Sequence, residues 1–79
     1  MSPSQPVAKL NLFPVTAAIW VNQSGENSWY SATIDRLYKD DAGSWKSTNT
    51  FRADDLLLVA KIADWAHTEI VKLKTESRD

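Results

Sequence analysis

Apolar and polar residues alternate with a period of two over most of this chain, then shift to a helical period towards its end. From Val15 to Asn22, Ala17, Ile19 and Val21 fall on one face and Thr16, Ala18, Trp20 and Asn22 on the other, the pattern of a half-buried strand. Val7 to Leu12 alternates more weakly and predicts a short edge strand ended by Pro14. Trp29 to Lys39 is the longest strand candidate, with Tyr30, Ala32 and Ile34 facing one way and Trp29, Ser31, Thr33 and Asp35 the other. Gln23 to Asn27, which holds a glycine, predicts the loop before it. Asp40-Asp41-Ala42-Gly43 predicts a tight hairpin, in which the aspartates bond nearby amides and Gly43 takes a positive φ. The return strand is expected from Ser44 to Phe51, with Trp45, Ser47, Asn49 and Phe51 alternating against Lys46, Thr48 and Thr50.

The period changes at Ala53. From there to Lys74 no proline or glycine interrupts, and Leu56, Val59, Ile62, Ala63, Ala66, Ile70 and Leu73 share one helical face. Asp54 and Asp55 in the first turn and Lys72 and Lys74 in the last suit the helix dipole. Lys61, Asp64, Thr68 and Lys72 mark the wet side. The expected architecture is therefore α+β, with three or four antiparallel strands followed by one long C-terminal helix packed on one sheet face. It forms a single domain over residues 7–74, with polar tails at 1–6 and 75–79.

Composition adds a constraint. A chain of 79 residues buries only about 60–65% of its unfolded surface, so a core of this size commonly needs a disulfide, a metal or a second chain. There is no cysteine and one histidine, which leaves oligomerisation. Leu57, Leu58 and Trp65 lie outside the expected core arc, and they predict a homodimer through that helix edge. The net charge of −1 gives no global pull towards nucleic acid or anionic membrane, so any basic surface is local. The start of the chain lacks the basic residues and apolar run of a secretory leader, and the apolar runs are too short to cross a bilayer. A cytoplasmic protein without membrane association is expected.

The uncovered sheet face is where candidate chemistry gathers. Its expected outward positions are Trp20, Trp29, Ser31, Thr33, Lys46, Thr48 and Thr50, with Arg36, Tyr38 and Lys39 at the hairpin end. Rings that stack on bases, beside hydroxyls and cations that meet phosphates, suit single-stranded nucleic acid. Serine and threonine are also ordinary on a wet sheet, and an exposed tryptophan serves a protein contact equally well. A protein-binding module without nucleic acid is the alternative. Catalysis is not expected. Asp64 precedes His67 by one helical turn, but no nucleophile, thiol or glycine-rich phosphate loop accompanies them. The Asp40–Gly43 hairpin lacks the ligand spacing and closing glutamate of a calcium loop, and no cofactor is expected.

The run Thr33-Ile34-Asp35-Arg36-Leu37-Tyr38-Lys39-Asp40-Asp41-Ala42-Gly43-Ser44-Trp45-Lys46, followed by a polar strand and a long helix, resembles the single-stranded-DNA-binding core of the positive transcription coactivator (Whirly-like) family. It is also similar to many small uncharacterised bacterial proteins. The resemblance spans roughly residues 16–73 and implies a curved antiparallel sheet, a C-terminal helix and a homodimer holding single-stranded DNA against its sheets. Lys46 matches a family position that is basic and contacts DNA, and Tyr38 matches an aromatic one. Two departures stand out. Aligned without gaps on Gly43, the family's arginine before the hairpin falls on Asp35, with Arg36 one residue away. The return strand after Lys46 is Ser47, Thr48, Asn49 and Thr50, where the family carries more cations.

Overall fold

The computed structural model describes residues 5–76. Four antiparallel strands, β1 (Ala8–Leu12), β2 (Val15–Ser24), β3 (Asn27–Lys39) and β4 (Trp45–Thr48), form one sheet in the order β1-β2-β3-β4. A 3-10 turn at Ala53–Asp55 then leads into the helix α1 (Leu56–Glu76). The α+β architecture expected from the periodicities is the one observed. The tail expected at residues 1–6 lies mostly outside the described residues, as do residues 77–79. The helix runs two residues past its expected end.

Each hairpin follows from its turn. Leu12 pairs with Val15 across Phe13 and Pro14, whose peptide bond is cis. Ser24 pairs with Asn27 around Gly25 and Glu26, so the expected five-residue loop is mostly strand. Gly25 has φ 63 and Glu26 no positive φ, which matches the glycine-first two-residue turn that suits twisted hairpins. Between β3 and β4, the Asp40 carboxylate accepts from the amides of Ala42 and Ser44 at 3.0 and 2.9 Å, and Gly43 has φ 85.

Alternation sends Leu10, Val15, Ala17 and Ile19 to the helix side, where they are buried with Ile62 and Ala66. Ala8, Leu12, Tyr30, Ile34, Phe51, Leu58, Val59, Ile70 and Leu73 pack round this centre. Three expectations are corrected. Leu56 is 55% exposed and Ala63 is exposed, because the buried arc is centred nearer Ile62 and brings Leu58 inward instead. Ala32 is also exposed, because α1 packs mainly over β2 and β1. The return strand is shorter than expected, ending at Thr48, with Asn49 and Thr50 in the loop. At about 3.4 Å per residue β3 spans roughly 44 Å, against about 31 Å for α1, so the helix cannot cover its whole length. β4 pairs only with Arg36 to Lys39, leaving β3 from Asn27 to Asp35 without a neighbouring strand on that side. Among the described residues no helix is long and apolar enough to cross a membrane.

Candidate nucleic-acid interface

The register decides which side chains share the face away from α1. Cross-strand partners lie on one side of a sheet. Trp20 pairs with Ser31, Ala18 with Thr33, Thr16 with Asp35 and Asn22 with Trp29. On β1, Lys9 pairs with Ala18 and Asn11 with Thr16. On β4, Trp45 pairs with Lys39 and Ser47 with Leu37. The open face therefore carries Trp20, Trp29, Ser31, Thr33 and Lys39 as expected, and adds Trp45.

The same register corrects the rest of the expected row. Arg36 pairs with Thr48 and Tyr38 with Lys46, which puts all four on the helix side by alternation. Arg36 and Tyr38 continue the Tyr30, Ala32 and Ile34 face of β3, and for Lys46 and Thr48 the reason is parity. Five residues, Asp40 to Ser44, separate Lys39 from Trp45, so the return strand shows Trp45 and Ser47, not Lys46 and Thr48, on the face of Lys39. A slip of one residue exchanges the two sets. Thr50 lies past the end of β4 and is exposed, its amide donating to the Thr48 hydroxyl at 3.2 Å.

Two of the displaced cations are engaged. Arg36 Nε donates to Asp55 Oδ2 at 2.5 Å, and the Arg52 amide donates to the same oxygen at 3.0 Å. Burial pushes the Asp55 carboxyl up, but the Arg36 hydrogen bond, the Arg52 amide and the two positive charges more than offset it, so its pKa lies below the ordinary 3.8. Lys46 Nζ sits 3.3 Å from Asp40 Oδ2. The Asp40 carboxyl is also held below the usual range, chiefly by the Ser44 amide, against some desolvation, with Lys46 and the Ala42 and Gly43 amides adding to the effect.

The open face is organised by its own polar bonds. Trp20 Nε1 donates to Thr33 Oγ1 at 3.0 Å, and Asn22 Nδ2 donates to Ser31 Oγ at 2.8 Å. These bonds fix the half-buried Trp20 indole and the Asn22 amide across the β2–β3 ladder. Trp29 is 50% exposed near one end of the face and Trp45 is 56% exposed near the other. Phe13 meets Trp45 edge-on with centroids 5.7 Å apart, and Lys39 Nζ lies 5.5 Å from the same ring. Trp45 and Phe13 were missed as site residues. The parity of the hairpin loop was the available signal for Trp45, while nothing in the pattern announced that the β1–β2 turn reaches β4.

Between the aromatic groups lies a hollow of about 400 Å³ whose lining includes Lys9, Asn11, Thr16, Ala18 and Asp35. On the helix, Leu57 is 83% exposed, Trp65 is partly exposed and Leu58 packs against the core. Leu56 and Val71 add exposed apolar surface. Asp64 and His67 are both exposed and share no hydrogen bond. Comparison with family models, with curated proteins and with solved structures finds no match for this chain.

Proposed function

We propose that this protein is a non-catalytic, cytoplasmic homodimer that binds single-stranded nucleic acid along the open face of its sheet. One observation carries the reading: Trp20, Trp29 and Trp45 share a face that no element among the described residues covers. Bases present a ring face whatever their identity, so such a surface takes a strand by stacking, with Lys39 as a nearby cation for phosphates. Ser31 and Thr33 act through Asn22 and Trp20, which they hold. Arg36 and Lys46 serve the fold instead. A second copy joined through α1, over Leu57 and Trp65 with Leu56 and Val71, would cover apolar surface that a lone chain leaves wet, while Leu58 of the expected edge already packs on the core.

The test is a titration of tryptophan fluorescence with a thymidine oligonucleotide at low and high salt, with duplex DNA as competitor. Trp20→Ala or Trp29→Ala is expected to weaken binding roughly 5- to 150-fold, the equivalent of one base–ring stack at about 1–3 kcal/mol. Lys39→Ala is expected to lower the magnitude of the salt slope by about 0.7. The near-neutral charge favours a second reading, in which the same face docks on another protein. No quenching at tens of micromolar protein, together with a stoichiometric protein partner on purification, would select that reading.

A further inference from the structure

The hollow on the open face has a chemistry that stacking alone does not use. Its floor is Ala18, the small member of its row. Lys9 flanks Ala18 on β1, while Thr16 and Asp35 form the adjoining row. Among the described residues the side chains of Lys9, Asn11, Thr16 and Asp35 have no hydrogen-bond or ion-pair partner. Asp35 is also half-buried, and a carboxylate there repels phosphates. A face built only to hold a nucleic-acid backbone gains nothing from it.

We propose that this hollow is a base-reading subsite that prefers guanine, with Asp35 and Lys9 on opposite sides of the base. The inference rests on the single-strand reading and specifies it further. A carboxylate accepts only, so it selects a base edge with donors side by side. Guanine alone among the four common bases offers two, N1–H and the N2 amino group. Adenine and cytosine offer one amino group beside an acceptor nitrogen, and thymine offers a single N3–H flanked by two carbonyls that repel the carboxylate. The remaining edge of guanine, O6 and N7, accepts from a lysine.

The spacing agrees. Lys9 and Asp35 stand two strands and two residues apart, about 12 Å between Cα atoms by ordinary sheet geometry, which leaves room for one base between the side chains. The indole of Trp20, two residues from Ala18 on the same face, is tied to Thr33 in the Ala18 row. It therefore leans towards the hollow, where it can stack on an adjacent base.

The experiment compares an all-thymidine oligonucleotide with one carrying a single central dG, and a third carrying deoxyinosine there, which lacks the N2 amino group. The readout is quenching of the full chain's tryptophans at fixed salt. The dG strand is expected to bind about 5- to 150-fold tighter than the thymidine strand, as for one bidentate base contact. Deoxyinosine should lose most of that gain, and Asp35→Asn should bring the dG-to-thymidine ratio towards one, with circular dichroism confirming the variant's fold. Equal binding of the dG and thymidine strands overturns the guanine subsite and leaves the single-strand reading standing. Binding of neither overturns both.

Discussion

Asp55 is buried at the start of the helix and holds Arg36 and the Arg52 amide on one carboxylate oxygen. Its folded pKa is depressed, so its contribution to stability is present above the unfolded value of 3.8 and is lost as pH falls through the folded value. Asp40 contributes with the same sign. Urea midpoints are therefore expected to be level from neutral pH down to about 5 and to drop below 4, with a shallower acid drop and a lower neutral midpoint in Asp55→Asn. Arg36→Ala should also lower the midpoint, because it strands a buried carboxylate, while leaving the oligonucleotide salt slope unchanged. At this scale sequence reading identified Trp20, Trp29, Ser31, Thr33 and Lys39 as open-face residues, because each lies on a long strand whose alternation carries its own frame. Arg36 and Tyr38 were misassigned against the alternation of β3 itself, which sets them with Ile34, and Lys46 and Thr48 through the parity of the hairpin loop. An ion pair such as Arg36 to Asp55 joins residues nineteen positions apart, and a one-dimensional pattern holds no trace of that proximity.

Among the elements, α1 depends on few side chains. Ile62 is fully buried against the sheet, so Ile62→Ala is expected to cost about 2–5 kcal/mol by urea denaturation, whereas Lys61→Ala on the wet side should cost under about 0.5 kcal/mol. The β2–β3 turn gives a separate check. Gly25 has φ 63 with open space around its Cα, so Gly25→Ala meets no clash but takes the left-handed penalty of about 1–2 kcal/mol. The existence and type of β2, β3 and α1 were legible, since period two and period 3.6 differ over runs this long, while the short β1 alternated too weakly to fix the strand number and the 3-10 turn at Ala53–Asp55 merged with the helix pattern. Faces and ends were less so. The β3–β4 loop sets the parity of β4 and the position of the helix over β1 and β2 sets its buried arc, and both depend on contacts between elements.

At the scale of the whole molecule, the core centres, among the described residues, on six buried apolar side chains and leaves Leu56, Leu57, Trp65 and Val71 on the helix surface. The proposed dimer predicts a two-chain mass by light scattering at micromolar concentration, and Trp65→Glu should shift it towards monomer. A stable wild-type monomer would refute that part. The layer arrangement was readable from the order of periods alone, but how two layers built from a chain of 79 residues leave one face bare required the strand lengths. The bare flank of β3 opposite β2, from Asn27 to Asp35, has a kinetic consequence. Successive amides of a strand point to opposite edges, so along this stretch those aimed at β2 are bonded and those between them face water. Deuterium should enter β3 as a comb, every second amide exchanging early. The segment of β2 from Val15 to Ile19, flanked by β1 and β3, should instead exchange late at every position. A partner strand annealed along that flank would erase the comb, which makes residue-resolved exchange a direct assay for edge-to-edge association.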